Sequence, residues 1–169
     1  MMRLVGLYRR RVFGLCYRIL GHHHDAEDVT QETFLRALRG LGGFDPRRRF
    51  EPWLLAIAGN RCRTLIAQRR RRPATAWPAA EMADRGATTG DAGHLAHEVR
   101  VALHAMRDQW REAFLLFHEG GLSYQEIAQV MDCPPGTAKT WVHRARRELM
   151  TRLIDQGVVE EAGGALRAV

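Results

Sequence analysis

Lys139, Thr140, His143, Arg144, Arg146 and Arg147 fall on one side of a helix turned at about 100° per residue, and no acid stands among them. Arginine forks onto guanine edges and phosphates, lysine reaches phosphate as a point charge, and a threonine hydroxyl pairs with either kind of base edge. Solvated helix faces usually mix signs, so this face is suited to DNA. A second group with chemical capacity is His22-His23-His24, followed by Asp25 and Glu27. Adjacent imidazoles hold a metal when a third or fourth ligand is fixed beside them. Asp25 is expected to serve as a helix N-cap, which leaves the run without a fixed partner, so no metal is expected. No nucleophile or acid–base constellation is apparent, and no enzymatic activity or cofactor is expected.

The basic face needs a helix-turn-helix behind it. In Leu122–Leu149, LSYQEIAQVMDCPPGTAKTWVHRARREL, Ser123 and Glu126 form a capping-box pair at the start of a short helix. Ile127, Ala128 and Met131 give that helix an apolar side. Asp132-Cys133-Pro134-Pro135-Gly136 breaks the pattern, and a second helix is expected from about Thr137. Ala138, Trp141, Val142, Ala145 and Leu149 form its inner side.

Helical spacing continues elsewhere. Val5, Tyr8, Val12, Cys16 and Ile19 mark a first helix with Gly21 as its stop. Asp25 caps a second, with Glu27 and Asp28 in its first turn, running through Val29, Phe34 and Leu38 to Gly40. The loop GLGGFDPRRRF leads to a third, opening near Glu51-Pro52. Its inner side is Trp53, Leu54, Ile57, Ala58, Cys62 and Leu65, and its outer side and end are Arg61, Arg63 and Arg69 to Arg72. Leu95 to Met106 and Trp110 to Phe117 mark two more, the latter stopped by Gly120-Gly121. No strand pattern is convincing. The sequence is all-α: two small helical domains, 1–72 and 95–153, joined by a flexible linker over 73–94, with a loose tail over 154–169. In the linker Trp77 and Met82 are the main large apolar groups, too little to offset the entropy of ordering it. A mobile tether, fixed only by a partner, is therefore expected.

Composition bounds the function. The 169 residues carry 26 Lys plus Arg against 19 Asp plus Glu, a net charge of +7, and Lys139 is the only lysine. That balance favours a nucleic-acid partner. No run approaches the apolar length of a membrane span. Cys16, Cys62 and Cys133 are far apart, as suits reduced thiols in a cytoplasmic protein, and no Cys-x-x-Cys offers a zinc site.

Two motifs in this order carry a resemblance. The first is DAEDVTQETFLRAL, Asp25 to Leu38, followed by FEPWLLAIAGN, Phe50 to Asn60, and a basic run. The second is GLSYQEIAQVMDCPPGTAKTWVHRARREL, Gly121 to Leu149. Together they resemble the extracytoplasmic-function class of bacterial RNA polymerase sigma factors. The resemblance implies a sigma domain 2 and a sigma domain 4 with its helix-turn-helix. Domain 2 would bind the clamp coiled coil of the β′ subunit of core polymerase and melt the −10 element. Domain 4 would read the −35 element and rest on the β flap. Asp28, Gln31, Glu32, Phe34 and Arg36 would then face core polymerase, and Thr137, Lys139, Thr140, His143, Arg144, Arg146 and Arg147 the −35 DNA. Phe44, Arg47, Arg48 and Arg49 in the loop, with Asn60, Arg61 and Arg63 on the third helix, would serve the −10 element. An aromatic beside cations can hold an unstacked base; Phe44 is the candidate, whereas Phe50 reads as a core plug. Promoter DNA, core polymerase and an anti-sigma factor are the implied partners, in the cytoplasm and without membrane insertion.

The chain departs from the family's pattern in two places. No acid stands in the third helix near Thr64, which removes a partner for an arginine there. Trp141 stands where a basic residue is common, and reads as packing. A stand-alone helix-turn-helix regulator would explain 95–153 but neither DAEDVTQETF nor FEPWLLAIAGN. A hydrolytic metal site at His22 to His24 with Asp25 and Glu27 is the enzymatic alternative.

Overall fold

A computed structural model describes residues 2–71, 91–162 and 165–168. Most of the expected linker, including Trp77 and Met82, lies outside them. The described residues form seven α-helices: α1 Met2–Leu20, α2 His23–Gly40, α3 Phe50–Arg71, α4 Asp91–Ala105, α5 Asp108–His118, α6 Tyr124–Met131 and α7 Pro135–Asp155. Helices α1, α2 and α3 pack together, and α4, α5 and α6 gather around α7. The architecture is all-α, as read from the sequence. A departure lies at the C-terminus, where a tail without structure was expected. Val158 and Val159 are buried, and β1 Val159–Ala162 pairs antiparallel with β2 Ala165–Ala168.

Several helix boundaries have clear physical causes. Gly21 ends α1 at φ +73, a region that strains any side chain, and a Cβ there would also meet the His104 ring at 2.9 Å. Asp25 does not cap α2. His22 is the N-cap, in extended geometry and with no side-chain cap bond, so the helix opens at His23 and Asp25 sits within its first turn. One oxygen of the Asp25 carboxylate is taken instead by Arg69 at the far end of α3, and the other lies 3.3 Å from His22 Nδ1. Helix α7 opens at Pro135, ahead of Thr137, because proline suits a first turn whose N–H groups lack partners anyway.

The inner face of α2 is made of small residues: Ala26, Val29, Thr30, Thr33 and Ala37. Both threonine hydroxyls donate back to helix carbonyls, Thr30 to Ala26 at 2.6 Å and Thr33 to Val29 at 2.7 Å, which lets them be buried. Small side chains allow α1 and α2 to approach closely. The larger apolar groups of α2 point elsewhere. Phe34 is half-buried, while Leu35 and Leu38 stand exposed at 53% and 38%. Leu38, which marks the helix in the sequence, thus lies on its exposed side.

The two halves pack against each other. Helix α3 meets α5 and α6, α1 meets α4 and α5, and buried apolar groups from both halves form one cluster. Gly59 makes this possible: a Cβ there would stand 3.0 Å from the Leu116 side chain and 3.5 Å from that of Val130. Ion pairs rim the contact, joining Arg18 to Glu119 at 2.7 Å, Arg70 to Asp108, and Arg48 to Glu126 at 3.8 Å. In this structure the two halves therefore share a core. Leu116 is fully buried at that contact. Leu116→Ala should lower the stability by about 2–5 kcal/mol, the range for a leucine truncated in a core, read as the midpoint of urea unfolding; an unchanged midpoint would mean that the contact is loose.

Candidate nucleic-acid interface

Helix α7 is held by its apolar stripe. Ala138, Val142, Ala145, Leu149 and Leu153 are buried against α5 and α6. Trp141 is only half-buried, so its expected packing role is met in part. With that stripe fixed, Lys139, Thr140, His143, Arg144, Arg146 and Arg147 are all exposed on the opposite side, and Thr137 is half-exposed at the helix start. The face is therefore presented as read from the sequence.

Several of its groups already have internal contacts. The Thr140 hydroxyl donates to the Gly136 carbonyl at 2.8 Å, so towards a ligand it offers acceptor lone pairs first. The Arg144 guanidinium lies 5.7 Å from the Trp110 ring centre, with Arg107 also over that ring at 5.1 Å. Arg146 lies 3.1 Å from the His118 ring nitrogen, and burial followed by the Arg146 charge holds His118 below the usual imidazole range. Trp110 and His118 were not read from the sequence as part of this surface. Only the placement of α5 across α7 brings them there.

Helix α6, before α7, is equally determined at both ends. Ser123 N–H donates to Glu126 at 2.9 Å, and Glu126 N–H donates to the Ser123 hydroxyl at 3.2 Å, completing the capping box. The bond from the Ser123 backbone, more than the hydroxyl or nearby Arg48 and Arg49, keeps the Glu126 carboxyl below its ordinary range despite partial burial. Asp132 closes α6 in the left-handed region at φ 52, where a short polar side chain is better tolerated than a branched one.

In the first half the candidate residues fall into three groups. Phe44 packs on Trp53 at 4.8 Å and on Phe50 at 5.5 Å between ring centres, and Tyr8 lies 5.4 Å from Phe50. Phe44 remains half-exposed on this aromatic floor, with Arg47, Arg48 and Arg49 exposed beside it. Asn60 and Arg63 are brought together, the Arg63 guanidinium donating to the Asn60 side-chain oxygen at 2.9 Å. Glu32 gathers Arg36, at 3.0 Å, and Arg61. Partial burial tends to raise the Glu32 carboxyl, but the bonds from those two arginines outweigh it and leave it below its ordinary range. Asp28 and Gln31 are exposed on the same helix, and the exposed Leu35 and Leu38 extend the patch. These two leucines were missed as surface residues because a leucine at helical spacing is ordinarily a core residue.

One buried acid lies beneath these surfaces. Glu112 of α5 is 4% exposed at the contact between the halves. Burial pushes its carboxyl up to about 7, against the pull of Arg63 from α3 and Arg111 on its own helix, with Asp108 adding to the rise. The Cys62 thiol of α3 and Cys133, beyond α6, also feel its charge. A carboxyl that ionises more readily in the unfolded chain, near 4.5, costs stability increasingly from that pH up to about 7, and fully above it. His104 opposes this trend at the acidic end: burial, then Arg111 and Arg100, hold it down to about 4, so its contribution is lost as pH falls below its ordinary 6.5. Comparison with a variant isolates the acid. Glu112→Gln should be more stable than the parent at pH 8 by up to about 3 kcal/mol, and the gap should close below about pH 4.5. A gap independent of pH would show that Glu112 ionises normally.

The geometry defines a helical DNA-binding protein whose helix-turn-helix stands beside a second three-helix unit. The Sigma-70 region 2 family model matches residues 4–72, and the Sigma-70, region 4 model matches residues 96–149. The chain is 32% identical over 166 residues to the ECF RNA polymerase sigma factor SigW of Bacillus subtilis, covering 90% of this chain and 88% of that one. It is also 32% identical over 158 residues to the RNA polymerase sigma-H factor of Pseudomonas aeruginosa, covering 86% and 82%. A solved structure of the sigma factor RpoE in complex with the anti-sigma factor NepR from Bartonella quintana has the same fold, with a TM-score of 0.68 at 23% identity over 90% of this chain and 96% of that one. The chain belongs to the extracytoplasmic-function sigma factors of RNA polymerase.

Proposed function

We propose that this chain binds core RNA polymerase, directs it to a class of promoters and assists their melting, with no catalytic step of its own. The observation that carries the reading is the acid-free basic face of α7, held outward by a buried stripe and preceded by α6 with its Ser123–Glu126 capping box. Residues 1–72 form the unit for core polymerase and the −10 element, 73–94 the connection, 95–153 the unit for the −35 element, and 154–169 the tail. The stand-alone regulator reading leaves the region 2 match over residues 4–72 without a role. Among the described residues no helix is long and apolar enough to cross a membrane. The protein works in the cytoplasm, under an anti-sigma factor of the kind seen with RpoE.

Within that reading, the α2 surface of Asp28, Gln31, Glu32, Arg36 and half-buried Phe34 docks on the β′ clamp coiled coil, and exposed Leu35 and Leu38 supply its apolar contact. Contiguous exposed apolar groups rimmed by polar ones mark interaction sites. Phe44 on its aromatic floor, with Arg47 to Arg49, takes the unstacked base of the −10 element, and Asn60, Arg61 and Arg63 flank it. Region 4 rests on the β flap. Transcription by core polymerase with the pure protein on a random promoter library should yield a selective promoter class. No selective initiation, where a control sigma factor succeeds, would overturn the reading.

Three substitutions separate the surfaces. Arg144→Ala should cost about 1–3 kcal/mol and relax one base position if Arg144 forks onto a base, or weaken all sequences alike if it holds phosphate; profiles over single-base variants of the −35 element distinguish the two. Leu35→Glu should weaken core polymerase binding while leaving the thermal melt unchanged. Phe44→Ala should bind core polymerase normally, open a duplex −10 element poorly by permanganate footprinting, and recover on a premelted template.

A further inference from the structure

The histidine run is not used by any surface described above. Because α2 opens at His23 and not after Asp25, His23 and Glu27 stand one helical turn apart on the same side. The His23 Nδ1 lies 3.7 Å from a Glu27 carboxylate oxygen. One ligand atom each from His23, His24 and Glu27 lies within 4.8 Å of the others. Ligands bound to zinc at about 2.1 Å in a tetrahedron stand about 3.4 Å apart, so small side-chain rotations close the set. His23 and His24 are exposed and Glu27 is 40% exposed, so those rotations are open to all three. The His23 ring is also steered from behind by Phe13, edge-on at 5.1 Å, and by Tyr17 at 6.4 Å.

We propose that His23, His24 and Glu27 form a binding site for one divalent transition-metal ion of the zinc and nickel type, with water completing the coordination. Two imidazoles and one carboxylate suit such ions and discriminate against magnesium, which takes oxygen ligands. Asp25 stays outside the set, since Arg69 holds one oxygen of its carboxylate and the other faces His22. The positive end of α2 opposes a cation there, and the acids of its first two turns, Asp25, Glu27 and Asp28, offset that. Bound metal would tie the first turn of α2 together at the corner where α1 ends.

The test is calorimetric titration of the untagged full chain with Zn2+ and with Mg2+, alongside His24→Ala, Glu27→Gln and His22→Ala. One Zn2+ per chain is expected, with no response to Mg2+. His24→Ala should abolish binding, Glu27→Gln should weaken it about tenfold or more, and His22→Ala should leave it nearly unchanged. The positions are exposed, and a thermal melt of each variant without metal checks that it folds. Absence of Zn2+ binding overturns the proposal. So does binding that Glu27→Gln leaves intact or that His22→Ala abolishes, either of which would mean loose chelation by the histidine run.

Discussion

The missing side chain at Gly59 is the constraint on which the arrangement of the two halves depends. Helix α3 can lie against α5 and α6 only because no Cβ intervenes between its backbone and the side chains of Leu116 and Val130. That close approach joins the apolar groups of both halves into one buried cluster. Glu112 and Arg111 of α5 are also out of water. Burial is costly to both: it raises the carboxyl and lowers the guanidinium, with Asp108 the main group opposing the fall at Arg111. The contact thus combines a favourable apolar term with an electrostatic penalty.

The rim of the contact draws on groups assigned to partner surfaces. Arg48 beside the Phe44 loop reaches Glu126 of the capping box, and Arg63, which donates to Asn60, also lies near Glu112. Arg61 is engaged by Glu32 of the α2 patch. Basic groups proposed for the −10 element are therefore partly neutralised by acids of the chain itself. The α7 face differs: its cations project outward, and its internal contacts are with aromatic and imidazole groups, not carboxylates. The α7 face, proposed for the −35 element, is thus the more readily available of the two.

Local features were the most legible in the sequence. The S-x-x-E box, the glycine stop at Gly21, and the buried Ala138, Val142, Ala145 and Leu149 follow from spacing and capping chemistry within one or two turns. Phe44 and Phe50 were visible as a pair, but Trp53 beneath Phe44 was read as core. Features that failed depend on groups distant in sequence. Asp25 is an excellent cap residue by type, yet Arg69 on α3 captures it. Leu38 has the period of a core residue, yet α1 packs on the threonines and alanines of α2, since they allow closer approach. Glu112 sits in an ordinary amphipathic pattern, and nothing local to it announces its burial or the charge of Arg63 from α3 beside it. The shared core itself left no local signal, because a glycine in a helix is silent about what lies opposite.

The shared core is most directly tested by nuclear Overhauser measurements on the free protein with labelled leucine and valine methyls. Cross-peaks from the Gly59 α-protons to the Leu116 and Val130 methyls are expected, since a Cβ at Gly59 would lie 3.0 and 3.5 Å from those side chains. Their absence, with cross-peaks within each half intact, would show two folded units that do not close on each other and would contradict the account.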